Sequence, residues 1–242
     1  MSVKNYPTAL PNLREAGGIP AAGGKIRAGV LYRSAVPHLV DETLSGWLGN
    51  QGITQIFDLR STVECSRLPG FPATLDGTTS TRLPLLEGAF AVPGTLPSLE
   101  ELYLPLVAEH GQVWAKIAGA VAESPKATLV HCTAGKDRTG VAIALLLLAV
   151  GAEREAVLAD YAASTVALSG AWLDSMRTML AEHGGEMTQE LRHLMVGTSV
   201  AGLERALDLA IAQHGSILDY LLAHGLSGQQ FELLGARLVE TR

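Results

Sequence analysis

Cys132 and Arg138 stand six positions apart in the run Val130–His131–Cys132–Thr133–Ala134–Gly135–Lys136–Asp137–Arg138–Thr139–Gly140, which also holds a carboxylate and two hydroxyls. A thiol and a guanidinium at this spacing can serve one reaction, displacement at a tetrahedral phosphorus. Successive backbone N–H groups in a tight loop form a nest for an anion, and a helix starting behind it adds about half a positive charge. Arg138 supplies a planar fork of donors for two phosphate oxygens. The same field favours a thiolate at Cys132, the form that attacks. The Thr139 hydroxyl is placed to hydrogen-bond that sulfur, as attacker and as leaving group. Thr133, Ala134, Gly135, Lys136, Asp137 and Arg138 would then make the phosphate cradle.

Elements of the right kind flank the run. Ala127 to His131, after Ser124–Pro125, reads as a short buried strand. Val141 to Val150 is apolar and closed by Gly151, which reads as a core helix with a glycine C-cap. The plainer reading, a buried cysteine beside a structural arginine, leaves the polar turn between two apolar elements unexplained.

The rest of the chain sets limits. With 242 residues, 48% of them hydrophobic, the chain can bury one large core. A net charge of −6 without blocks of like charge argues against nucleic acid as a partner. The longest apolar run is too short to span a bilayer, and the start of the chain lacks the apolar core of a signal peptide. Two cysteines, one needed as a thiolate, point to a reducing compartment, hence a cytoplasmic protein. The seven histidines show no metal-ligand spacing, and a cysteine nucleophile needs neither metal nor cofactor.

In chain order, residues 5–29 are rich in glycine and proline and suggest a hairpin-like lead-in to a strand over Val30–Ser34. Asp41 is placed to cap a helix reaching about Gln51. Thr54–Arg60 reads as a buried strand, and Ser61–Glu64 as a helical turn in which Arg60 and Glu64 are spaced for an ion pair. Thr79–Leu85 is a further strand, and 88–94 a loop. A long helical stretch from Ser98 to Glu123 is expected to kink at Pro105. Helices follow over 153–167, around 172–180, over 199–213 and over 217–222, and Ser227 caps the last. The pattern predicts an α/β fold, a central and largely parallel sheet flanked by helices, as one domain over 1–242.

The loop resembles the His-Cys-x5-Arg-Thr-Gly signature of the protein tyrosine phosphatase superfamily. Asn12–Leu13–Arg14–Glu15, Leu31–Tyr32–Arg33–Ser34, Asp58–Leu59–Arg60–Ser61 with Glu64, Gly135–Lys136–Asp137–Arg138, Ala159–Asp160–Tyr161 and Gly215–Ser216 with Tyr220–Leu221 are similar to one bacterial branch, the family of the mycobacterial secreted tyrosine phosphatase B. That resemblance implies hydrolysis of phosphotyrosine, with phosphoserine, phosphothreonine and phosphoinositides as further substrates in some members, and phosphate as product. It also implies a helical lid, which would fall within 86–110.

The general acid stays open. No aspartate lies between Asp76 and Asp137, and the carboxylates available are Glu87, Glu100, Glu101, Glu109 and Glu123. Asp137 inside the loop, which the family also points to, is favoured, with Glu87 next and a purely structural Asp137 as the alternative. A carboxyl beside a phosphate dianion is driven toward its protonated form, which suits an acid. Lys136 resembles the loop lysine of phosphoinositide phosphatases, where it meets extra ring phosphates; a solvated lysine supporting any anion is the alternative. His131 is expected to order the loop through a backbone hydrogen bond. Asp58 braces the loop or caps a turn, and Arg14 reaches the site or forms a structural ion pair. The expected activity is that of a cysteine-dependent phosphatase on phosphorylated protein. A phosphoinositide phosphatase and a non-catalytic phospho-binding module are the rivals.

Overall fold

The computed structural model describes residues 6–87, 98–182 and 184–241. Nine strands are present among them: β1 (Arg14–Glu15), β2 (Pro20–Ala21), β3 (Gly24–Ile26), β4 (Leu31–Ser34), β5 (Ile53–Asp58), β6 (Thr74–Leu75), β7 (Thr78–Arg82), β8 (Ala127–His131) and β9 (Val239–Thr241). The main sheet has the order β1-β4-β8-β5-β7-β6. Its four inner strands are parallel, and the short edge strands β1 and β6 are antiparallel. The expected α/β architecture is therefore the observed one. A second sheet, β2-β3-β9, joins the lead-in to the end of the chain and was not foreseen.

Among the described residues twelve α-helices surround the sheets: α1 (Glu42–Asn50), α2 (Thr62–Arg67), α3 (Tyr103–Glu109), α4 (Gly111–Glu123), α5 (Asp137–Ala149), α6 (Arg154–Ala162), α7 (Ser164–Leu168), α8 (Ala171–Glu182), α9 (Gln189–Val196), α10 (Val200–His214), α11 (Ile217–Ala223) and α12 (Gly228–Leu238). Local chemistry starts many of them. Asp41 accepts from the Leu44 amide, and Ser61 and Ser227 open capping boxes with Glu64 and Gln230. Helix α5 is almost wholly buried, as its unbroken apolar run requires. It ends at Gly151, which takes φ +80°.

The break expected at Pro105 is displaced. Pro105 sits in the first turn of α3, where an N–H has no helical acceptor anyway, so it costs little. The chain breaks instead at His110, whose φ of −119° is not helical, and α4 begins anew. Of the segment assigned to a lid, the described part is a 3-10 turn over Glu100–Leu102 and α3, both packed on α10 through the buried Leu102 and Tyr103. Residues 88–97, and with them the loop expected there, lie outside the described residues.

Candidate active site

Strand β8 lies between β4 and β5, with His131 in register with both Ser34 and Asp58. Cys132 therefore emerges at the carboxyl ends of the parallel strands, where open α/β sheets present their ligand sites. Residues 133–136 turn the chain into α5, whose first turn holds Asp137, Arg138 and Thr139. Gly135 has φ +64°, and a Cβ there would lie 2.1 Å from the Ser34 carbonyl oxygen. Only glycine fits that turn.

The loop's carbonyls are all engaged from behind. The Val36 amide donates to Thr133 O at 3.2 Å. Asn12 Nδ2 donates to Ala134 O and Gly135 O at 2.9 and 3.0 Å. Arg33 Nη2 donates to Gly135 O at 2.9 Å and to Lys136 O at 3.3 Å. The braces are themselves held. Arg14 bonds Asn12 Oδ1 at 2.5 Å and Asp160 at 2.6 Å, and Arg33 shares that aspartate at 2.6 Å. Arg14 thus forms an ion pair behind the loop and is not among the residues lining the cavity.

Arg138 is aimed by Glu64. Its Nη1 and Nη2 donate to Glu64 Oε2 and Oε1 at 2.5 and 2.6 Å, and Nη1 also reaches Leu59 O at 3.4 Å. Thr133 Oγ1 donates to the same carboxylate. Of the five guanidinium donors, Nε–H and one N–H of Nη2 stay uncommitted among the described residues, an edge suited to two phosphate oxygens. Burial works against the Glu64 carboxylate, but its hydrogen bonds from Arg138 and Thr133 outweigh this and hold its pKa at about 2. The Arg60–Glu64 pair expected from spacing does not form. Arg60 turns instead to Asp58, with Nη2 to Oδ2 at 2.7 Å, because both sit buried at the end of β5.

Asp58 also lies 3.8 Å from His131 Nε2. Burial pushes His131 down to about 4, so the imidazole is neutral at ordinary pH, with Nδ1 3.3 Å from the Cys132 carbonyl oxygen. The carboxylate of Asp137 accepts from the Tyr103 hydroxyl, which contacts the Tyr161 hydroxyl, and Tyr161 accepts from the Ser199 amide at 2.8 Å. The tyrosine pair was not foreseen; nothing in their sequence spacing links positions 103 and 161 to 137. Thr139 Oγ is buried without a hydrogen-bond partner, so the bond to sulfur expected of it is not made in this structure.

A cavity of about 230 Å3 opens over the loop. Cys132, Thr133, Ala134, Asp137, Arg138 and Glu64 form its polar floor, and Leu102, Trp172, Leu191, Leu194 and Met195 its apolar wall. Glu87 does not line it. Its Oε1 accepts from the Thr62 amide and hydroxyl at 2.8 and 2.7 Å at the exposed start of α2, and these bonds hold its carboxyl below the usual range. Lys136 is not among the residues lining the cavity. Its side chain is wholly buried, and Nζ donates to the carbonyls of Leu194, Met195 and Gly197.

A cysteine at the end of a central parallel strand, a tight loop and an arginine on the next helix thus meet at one cavity. The chain belongs to the tyrosine phosphatase family, whose model matches residues 7–240. It is 34% identical to a putative tyrosine-protein phosphatase of Cupriavidus necator, over 63% of this chain and 59% of that protein. It is 37% identical to a tyrosine-protein phosphatase of Nostoc commune, over 52% of this chain and 43% of that protein. With the triple specificity protein phosphatase PtpB of Mycobacterium tuberculosis it shares 29% identity, over 66% of this chain and 68% of that protein. The matches thus span 43% to 68% of these relatives' lengths. Among solved structures, P. aeruginosa TpbA in complex with phosphotyrosine aligns at 17% identity and a TM-score of 0.37, over 74% of this chain and 99% of that one.

Proposed function

We propose that this protein hydrolyses phosphomonoesters through a cysteinyl-phosphate intermediate, with protein phosphotyrosine as its main substrate. The observation that carries the reading is the cavity: a floor able to hold one phosphate over a thiol, beneath a wall of Trp172, Leu191, Leu194 and Met195 able to hold an aromatic ring. Arg138 is the sole cation among the residues lining it. Lys136, which would have favoured a substrate with further phosphates, is turned away.

In this mechanism the Cys132 thiolate attacks phosphorus in line with the bond to the leaving oxygen. The loop amides and the free edge of Arg138 stabilise the equatorial oxygens as the S–P bond forms and the P–O bond breaks. Asp137 gives its proton to the departing phenol oxygen. It then takes a proton from the water that attacks the phosphocysteine, releasing phosphate and restoring the thiolate. Thr139 has a free hydroxyl to stabilise the sulfur as it leaves.

Both Cys132 and Cys65 are free thiols, which supports action in a reducing, cytoplasmic setting. No single helix among the described residues is long and apolar enough to cross a membrane.

The test is phosphate release from a phosphotyrosine peptide and from a mono-phosphorylated phosphoinositide, side by side, with Cys132→Ser as control. Faster release from the peptide, abolished in the variant, is expected. A faster rate on the lipid would replace the assigned substrate. Binding of both without release would make the protein a phospho-binding module.

A further inference from the structure

The side chain of Lys136 ends where few loop lysines would be expected, at the carboxyl end of another helix. Helix α9 has eight residues, too few to be stable alone in water. A helix of this kind leaves its last carbonyls without partners. In α9 the His193 carbonyl is met by the Gly197 amide at 2.8 Å. Those of Leu194 and Met195, and that of Gly197 just beyond, are met by Lys136 Nζ at 2.7, 3.3 and 2.5 Å. All three ammonium donors are thereby used, and the positive charge sits at the negative end of the α9 dipole. Asp137 Oδ2 lies 3.5 Å from the same nitrogen.

Helix α9 contributes three of the five apolar wall residues, Leu191, Leu194 and Met195. Lys136 is at once a member of the loop that cradles phosphate and the cap of the helix that contacts the rest of the substrate. We propose that Lys136 is a positioning residue for specificity: its ammonium ties α9 to the phosphate loop and so holds the wall at the distance an aryl phosphate requires. As to substrate, the proposal rests on the reading of the cavity as a phosphotyrosine site. The tie itself is a property of the fold.

Lys136→Met keeps the length and apolar stem while removing the three donors. The experiment compares it with wild type by hydrogen exchange and by kinetics. The α9 amides of His193–Val196 should exchange at least about tenfold faster, while those of α10 and α12 keep their wild-type rates. The KM for a phosphotyrosine peptide should rise about tenfold, clearly more than the inhibition constant for inorganic phosphate, which does not reach the wall. A rise of both constants by the same factor would place the lysine's charge on phosphate itself and overturn the proposal. Unchanged α9 exchange would also overturn it.

The double variant Leu194→Ala/Met195→Ala keeps Lys136 and alters only the wall. It should reproduce the KM rise, and an unaltered KM would refute the specificity role even if Lys136→Met failed to fold. Should the wild-type protein release no phosphate from any ester, the catalytic reading fails, but the exchange comparison still decides whether Lys136 holds α9.

Discussion

Asp137 enters the cavity with one oxygen already engaged, and the partners fix the direction of the hydrogen bonds. The Ser199 amide can only donate, so Tyr161 accepts from it; an ionised Asp137 can only accept, so Tyr103 donates to it. Tyr161 must then donate to Tyr103. Burial, and next the Asp137 charge, raise the Tyr103 phenol well above its ordinary value, so this proton stays on oxygen through the cycle. The pair orients the carboxyl without exchanging protons with it. Tyr103→Phe should lower kcat/KM by about tenfold on phosphotyrosine peptide, a fraction of what a general acid contributes. Nitrophenyl phosphate, whose leaving group needs little protonation, should lose less. An equal loss on both would show that Tyr103 does not work through Asp137.

Glu64 has the corresponding part for Arg138. In Glu64→Gln one charge-assisted bond is lost and an amide N–H confronts the guanidinium. A fall in kcat/KM of roughly 10- to 100-fold is expected, the scale of a hydrogen bond to a charged group. Weaker inhibition by inorganic phosphate should accompany it.

At the scale of elements, the site depends on a turn whose geometry excludes most substitutions. Gly135→Ala would place a methyl in the Ser34 carbonyl and a non-glycine residue at φ +64°. The left-handed conformation alone costs about 1–2 kcal/mol. For a domain of this size, a melting temperature lower by at least about 4 °C should follow. Asn12→Ala tests the brace instead of the turn. It frees the Ala134 carbonyl and weakens the hold on Gly135, so phosphate affinity should fall while the melting temperature changes less than in Gly135→Ala. Thermal melts and product inhibition on the two variants separate a loop that is strained from one that is merely unpinned.

Across the whole molecule, buried groups make stability depend on acid: Asp58 and Asp160 are held below the usual carboxylate range by their arginine partners, and Glu64 and His131 carry large shifts. The latter two have folded-state pKa values below their ordinary ones: Glu64 at about 2 against 4.5, and His131 at about 4 against 6.5. In each case the unfolded chain binds protons at a pH where the folded chain does not, so stability rises with pH across that interval. The His131 contribution is complete above about pH 6.5 and is lost toward pH 4. The Glu64 contribution is complete above about 4.5 and is lost toward pH 2. Denaturant midpoints should therefore fall in two stages below pH 6.5, and Glu64→Gln should reduce the second stage, to which Asp58 and Asp160 also contribute. A midpoint independent of pH from 7 to 4 would refute the buried, neutral imidazole.

The loop that lines the cavity was legible in the sequence because its parts are local to one another. Eleven consecutive residues carry the cysteine, the arginine and the turn glycine, and the apolar runs on either side dictate a strand and a helix whatever surrounds them. Helix starts at Asp41, Ser61 and Ser227 were readable for the same reason, since a cap closes on an amide three residues on. What tertiary structure decided is which partner each side chain takes. Glu64 had Arg60 at ion-pair spacing but binds Arg138, 74 positions away, because β5 and β8 are neighbours and Arg60 turns back to Asp58. Asn12 reaches the loop across 123 positions and Tyr103 reaches Asp137 across 34. Lys136 read in sequence as a phosphoinositide contact or a solvated lysine supporting any anion, and in the fold its Nζ caps α9. Periodicity and capping determine an element from its own residues. The order of strands in a sheet, and with it the pairing of buried charges, comes from packing segments far apart in the chain against one another.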